Sequence, residues 1–193
     1  MNHTGPNWNS GVTLIELLVV VAIAAIVAQA SFPELSDIMK NNSSAAQINE
    51  LRTSLAFARS EAVYRNSPVV LCKSVNGRSC QDAGDMWQEG WIVFVDHNGN
   101  GAVEADNGDK VLSRHSGNST EFTLSFAPPR VSYAGLGMTT QGVNGTYVLC
   151  DDRGATYAKG LIISVFGWPR LAVDSNANGI VEDANGSDLA CPG

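Results

Sequence analysis

Hydrophobic positions divide the chain into three registers. Residues 1–11 (MNHTGPNWNSG) are polar and hold no Lys, Arg, Asp or Glu. The run Val12–Ala28 (VTLIELLVVVAIAAIVA) is apolar throughout, with Glu16 its one charge. Further on, Ile48, Leu51, Leu55, Ala58 and Ala62 recur at alternating intervals of three and four, with Asn49, Glu50, Arg52 and Glu61 between them. That period predicts an amphipathic helix whose narrow, alanine-ended stripe suits close packing on a sheet. Asn66 and Pro68 stop it.

Beyond Pro68 the pattern turns strand-like. PVVLC (68–72) leads through a turn at Asn76-Gly77 toward Cys80, which predicts a hairpin. GWIVFVD (90–96), KVLSRH (110–115), TEFTLSF (120–126), TYVLC (146–150), GLIISVF (160–166) and RLAV (170–173) complete roughly seven short strands separated by Gly, Asn and Asp. One helix followed by a run of strands is an α+β arrangement. The expected order is a leader at 1–11, an apolar helix at 12–32, the amphipathic half of the same helix at 33–66 and a β-rich antiparallel head at 67–193. Pro33 removes a backbone donor and clashes with the preceding turn, so a bend is expected there. Phe32-Pro33 suits a break between two helices equally well, with proline opening the second.

Glu16 needs a reason. A carboxylate in a bilayer helix costs roughly 2.5–3.5 kcal/mol on insertion scales. A cleaved secretory signal is one reading, with Ala28-Gln29-Ala30 as its small-residue site before Ser31, but the leader has no basic region. A plain anchor leaves the acid without a role. A third reading gives it an ion partner, since opposite charges attract strongly where the dielectric is low.

Charge and cysteines narrow the classes. The net charge of −7 argues against a general nucleic-acid coat, which needs clustered Lys and Arg. Cys72, Cys80, Cys150 and Cys191 all lie beyond the apolar run and form no C-x-x-C. An even count in an exported chain favours disulfides; of the three possible pairings the sequence-local one, Cys72–Cys80 and Cys150–Cys191, is expected.

Gly11-Val12-Thr13-Leu14-Ile15-Glu16 resembles the class III signal of type IV pilins and pseudopilins, with Val12 where phenylalanine is usual. The resemblance implies cleavage by a prepilin peptidase between Gly11 and Val12 and N-methylation of Val12. It also implies a glutamate, Glu16, that docks the subunit by facing the N-terminal amine of a neighbour, and a helix kink at Pro33. LAFARSEAVYRNSPVVLC (55–72) followed by WQEGWIVFVDHNGNG (87–101) is similar to the GspH/FimT family, with a C-terminal region closer to the FimT/FimU branch. A pilin-like fold is then expected: a long kinked helix packed on an antiparallel sheet. The implied role is priming or capping of pilus assembly. The implied partners are other minor and major pilins, the peptidase and the inner-membrane assembly platform. The implied location is a single pass of the inner membrane with a periplasmic head, and later the pilus and cell surface. A type II secretion pseudopilin of the GspH type, a DNA-binding minor pilin of natural transformation and a secreted β domain freed at Ala30 are the alternatives.

Two further patterns carry chemistry. Asp96-His97-Asn98-Gly99-Asn100-Gly101 and Asp174-Ser175-Asn176-Ala177-Asn178-Gly179 each open like a calcium loop, with Asp96, Asn98, Asn100, Asp174, Asn176 and Asn178 as candidate ligands. Glu104, Asp106, Glu182 and Asp183 are available to complete such a site. Position 12 is Asn107 or Asn185 where a bidentate glutamate is required, so tight turns are the preferred reading and no cofactor is expected. Gly167-Trp168-Pro169-Arg170 keeps one arginine of the G-R-x-R that some FimT-type pilins use on DNA. Trp168 and Arg170 are therefore candidate DNA contacts, with Arg153 and Lys159 as possible sources of charge. His3, His97 and His115 are scattered, and no nucleophile–base order or phosphate loop emerges; no enzyme is expected.

Overall fold

In a computed structural model of the chain, residues 11–84, 87–117 and 121–192 are described, the side chains of 29–34 and 141 excepted. Helix α1 spans Leu14–Arg65. It contributes to two compact units that divide after Asn41. The helical assignment passes through Pro33 without a break. The side chain at that position lies outside the described residues, as does the leader at 1–10 with His3.

The end of α1 follows from its sequence. Asn66 takes a positive φ of 50°, its N–H reaches Val63 O at 3.3 Å, and Ser67 N–H reaches Ala62 O at 3.3 Å. This pair of bonds satisfies the last carbonyls of the helix, and Asn tolerates the left-handed conformation that closes it. Pro68 then keeps the chain from continuing as helix.

Eight strands follow among the described residues. One antiparallel sheet has the order β3-β2-β1-β5, with β1 at Val69–Lys73, β2 at Gly90–Val95, β3 at Lys110–Ser116 and β5 at Arg130–Tyr133. A second has the order β4-β6-β7-β8, with β4 at Thr123–Ser125, β6 at Gly145–Cys150, β7 at Lys159–Ile163 and β8 at Pro169–Leu171. Pro169 sits on an edge strand, where a missing donor is tolerated.

The five stripe residues Ile48, Leu51, Leu55, Ala58 and Ala62 are all buried. They pack with Val69 and Leu71 of β1, Val93 of β2 and Tyr133 of β5, and with Tyr147 of β6 and Ile163 of β7, so the inner faces of both sheets share one core with the helix. Burying a Leu or Ile side chain contributes roughly 1.5–3 kcal/mol, so this stripe is the main attachment of α1 to the head.

Each sheet is also covered on its outer face. Val70, Cys72, Ile92 and Phe94 pack beneath Cys80, Val103 and Val111. Cys150 packs with Ala158 and Leu189 beneath Ile180, Val181 and Cys191. This double coverage explains why β1 and β2 read as unbroken apolar runs rather than alternating ones.

Two expectations are corrected. The segment after Asn76-Gly77 forms no hairpin with β1, whose two neighbours are β2 and β5. The turn itself is present, with Asn76 Oδ1 accepting from Arg78 N–H at 2.8 Å and Ser79 N–H at 3.0 Å. It carries the chain over the outer face of the sheet to Cys80, and the return meets β1 through one backbone bond, Gln81 N–H to Lys73 O at 3.0 Å, rather than as a paired strand. The eighth strand, β5, carries no strong sequence signal: four residues after Pro128-Pro129, with only Val131 and Tyr133 buried.

Candidate functional site

The start of α1 is built from Gly11 to Glu16. Gly11, Val12 and Thr13 precede the helix and are exposed. Thr13 is the N-cap: its Oγ1 accepts from Glu16 N–H at 3.3 Å, and its carbonyl accepts from Leu17 N–H at 3.1 Å. Glu16 is the acid of the first turn, where the helix macrodipole favours negative charge. The T-x-x-E spacing from Thr13 to Glu16 is that of a capping box, a signal carried by the sequence itself. The Gly11–Val12 bond thus lies in exposed, non-helical backbone two residues before a helix that Thr13 and Glu16 begin. Among the described residues no ion pair reaches Glu16.

The apolar side chains that follow, Leu14 to Val27, are exposed in the single chain. Among the described residues no helix is long and apolar enough to cross a membrane.

The structure pairs Cys72 with Cys80 and Cys150 with Cys191, at Cα separations of 5.6 and 5.8 Å. Each bond ties a covering segment to the outer face of one sheet.

The two Asp-Asn-Gly loops share one wiring. Asp96 accepts from Gly99 and Gly101 N–H at 2.9 and 2.8 Å, and Asp174 accepts from Ala177 and Gly179 N–H at 2.7 and 2.8 Å. In each, the second Asn also receives the N–H two residues on: Asn100 from Ala102 and Asn178 from Ile180. The amides of Asn98 and Asn100 donate to Glu104 Oε2 at 2.9 and 2.8 Å, joined by Asn107 at 2.5 Å. These three bonds hold the Glu104 carboxyl below its usual range. Asn176 and Asn178 donate likewise to Asp188 at 3.5 and 2.8 Å. The side chains proposed as calcium ligands thus serve as turn-forming acceptors and amide donors, and among the described residues no His, Cys, Asp and Glu cluster has a metal-holding arrangement.

Trp168 does not stand beside a basic run. The Arg59 guanidinium, from α1, lies over its ring at 3.9 Å from the centroid, and Arg59 Nε–H donates to Gly137 O at 2.9 Å. Arg170 is exposed on the edge strand β8. Arg153 is held by Asp151 at 2.6 Å and stacked on Tyr157 at 4.0 Å, so it is committed locally. Arg59 is the residue sequence reading missed; it is distant in the chain from Trp168 and belongs to no short motif that includes it. His97 and His115 likewise serve in separate local pairs, with Asp109 and Glu50.

Comparison with known proteins completes the picture. The Prokaryotic N-terminal methylation motif matches residues 9–28, which contain the capped helix start. The family described as Type II transport protein GspH matches residues 47–167, from the buried stripe of α1 into the turn after β7. No curated protein matches the chain. The fold is similar to a crystal structure of the Pseudomonas aeruginosa type IV minor pilin FimU, at 19% identity and a TM-score of 0.53, covering 70% of this chain and 92% of that one. A second crystal form of FimU is similar at 20% identity and a TM-score of 0.49, covering 65% and 89%. The match over the helix stripe, both sheets and the methylation motif identifies the chain as a member of the GspH family of minor pilins and pseudopilins, non-enzymatic structural proteins with a pilin-like α+β fold.

Proposed function

We propose that the chain is a minor pilin that primes or caps pilus assembly, cleaved after Gly11 and methylated at Val12. The observation that carries this reading is the helix start. A capped first turn presents Glu16 with no ion partner among the described residues, at the head of an exposed apolar face. An uncovered face of that kind is stable only in lipid or against other apolar helices. Residues 12–32 would anchor the precursor in the inner membrane with the head in the periplasm. In the filament, the Glu16 carboxylate would meet the N-terminal amine of a neighbouring pilin and set the register between subunits, because a lone charge there is penalised and a paired one is not.

The test is the N-terminus and mass of the protein recovered from membranes, with and without prepilin peptidase. A methylated Val12 that depends on the peptidase is expected, and a start at Ser31 would overturn the reading. Glu16→Gln should leave cleavage intact and lower recovery in the filament fraction at least about tenfold. Loss of secretion with normal pili on deletion would instead assign the chain to a type II secretion pseudopilus.

DNA reception draws less support. One face of Trp168 is already occupied by Arg59, Arg153 is tied to Asp151, and the chain is acidic. No mobility shift of a DNA fragment by the protein at low salt is expected.

A further inference from the structure

The sequence holds seven Asn-Gly pairs. Each is chemically reactive, because glycine has no Cβ to keep its backbone nitrogen away from the preceding side chain. That nitrogen can attack the asparagine Cγ. The Cγ–Nδ2 bond breaks, the glycine N–H proton leaves with the amide nitrogen as ammonia, and a five-membered imide forms. Water then opens the imide at either carbonyl, giving aspartate or isoaspartate. The attack needs a glycine N–H released from its acceptor and an asparagine side chain free to swing over it.

The seven pairs meet these conditions unequally. Gly99 and Gly101 N–H donate to the Asp96 carboxylate at 2.9 and 2.8 Å, and Gly179 N–H donates to the Asp174 carboxylate at 2.8 Å. The asparagines before them are clamped at both ends of the amide. Asn98, Asn100 and Asn178 accept from the N–H two residues on, at 3.1, 2.8 and 2.9 Å. They donate to Glu104, Glu104 and Asp188, at 2.9, 2.8 and 2.8 Å. Bonds to a carboxylate are the stronger kind.

Neutral acceptors hold three other glycines. Gly77 N–H donates to Ser74 Oγ at 3.0 Å and Gly108 N–H to Ala105 O at 3.1 Å. Asn76 still accepts from two backbone N–H groups, and Asn107 Nδ2 is fixed on Glu104. Gly145 is held in the β6–β7 ladder opposite Ile163. Asn185-Gly186 is the least restrained pair. Its glycine N–H reaches Asp183 O at 3.2 Å, and the Asn185 amide donates to Asp183 Oδ2 at 3.4 Å, near the limit of hydrogen bonding. Asn185 Oδ1 accepts from no protein group among the described residues, and both residues are exposed to the water that the second step consumes. Conversion to aspartate would set a second carboxylate beside Asp183. Conversion to isoaspartate would lengthen by a methylene a turn that Ala184 N–H pins to Thr146 Oγ1 at 2.9 Å.

We propose that Asn185 is the head's site of spontaneous deamidation, and that the Asp96 and Asp174 carboxylates keep Asn98, Asn100 and Asn178 from the same change by holding the attacking nitrogens.

The experiment keeps the full chain in detergent, both disulfides intact, at body temperature in mildly alkaline buffer. Peptide mass spectrometry follows each asparagine, and enzymatic methylation detects isoaspartate. Conversion is expected first at Asn185, with Asn98, Asn100 and Asn178 slower by about tenfold or more, the rate factor of one charge-assisted bond. Asp174→Ala should raise the Asn178 rate about tenfold and leave Asn98 and Asn100 unchanged. Where Asn98 rises too, the loop change has disturbed the head and the order in the unaltered chain decides. In the reduced, denatured chain all the pairs should convert at similar rates. Conversion of any other pair ahead of Asn185 in the folded chain overturns the assignment, as does an inert Asn185 while the denatured chain converts. An unchanged or slower Asn178 in an otherwise undisturbed Asp174→Ala head overturns the guarding role, since the carboxylate would then serve the attack as a base.

Discussion

His115 of β3 stands with Nδ1 2.5 Å from Glu50 Oε1 of α1, its ring stacked on Trp91 of β2 at 3.8 Å. Trp91 in turn donates from Nε1 to Ser54 Oγ at 2.9 Å, one helical turn along. This relay fixes the rotation of α1 over the sheet, where the apolar stripe alone would tolerate small rolling.

His115→Ala should therefore destabilise the head by about 1–2 kcal/mol, the stacking supplying most of it. Glu50→Gln should cost less than about 1 kcal/mol, because Glu50 is more than half exposed and the pair is screened. Chemical denaturation of both variants and the double variant checks this, a coupling near zero being the outcome that removes the pair from the account.

The two disulfides should differ in weight. Replacing Cys150 and Cys191 by serine opens a loop with a sequence separation of 41, against 8 for Cys72 and Cys80. Loop-closure entropy gives about 4 kcal/mol for the first and about 2.5 for the second. Thermal unfolding of the two double-serine variants should show the larger loss for the long loop. The reverse order would mean that packing of the covering segments, rather than loop closure, decides the loss.

Alkaline stability should be set by two phenols. Burial raises Tyr133 and Tyr147 above the ordinary value of 10.0. The folded head therefore holds these protons more tightly than the unfolded chain does. Stability is intact below about pH 10 and falls as pH rises through the raised folded values. Spectrophotometric titration should show their ionisation only together with loss of near-ultraviolet dichroism; ionisation of all four tyrosines before that loss would contradict it. Both hydroxyls lack a partner among the described residues. Tyr147→Phe should accordingly be neutral or stabilising within about 1 kcal/mol, since it removes an unpaired buried group.

Glu104 offers an acid-side check. Its carboxyl is held below the ordinary 4.5, first by Asn98, then by Asn100 and Asn107. Its contribution is present above that ordinary value and fades as pH falls through the lowered folded value. The carboxyl carbon resonance should titrate below the usual range, and Asn98→Ala should move the midpoint back up. An unchanged midpoint in that variant would remove Asn98 from the wiring.

Much of this architecture can be read from residue order because its causes are local. The stripe from Ile48 to Ala62 becomes the buried face of α1, and Asn66-Ser67-Pro68 ends it through bonds that span five residues at most. What escaped depends on distant partners. Asn76-Gly77 is a strong hairpin signal, yet Cys80 is drawn across the sheet to Cys72 and packs over Val70 and Phe94, so the returning segment meets β1 only at its end, where Gln81 N–H donates to Lys73 O, and forms no ladder with it. β5 is a strand only because β1 offers it an edge. The Gly11–Glu16 site is legible as a motif, while the stack of Arg59 on Trp168 is not, since Arg59, Gly137 and Trp168 meet only in the folded head.

The unbroken run of α1 from Leu14 to Arg65 also makes the subunit a mechanical part. A pull along the helix within the head loads Ile48, Leu51 and Leu55 in shear, so that they must slide together rather than peel one at a time. Pro33, further toward the start of α1, has no N–H to give the preceding turn. Under load the helix should lengthen there first, while the head stays closed.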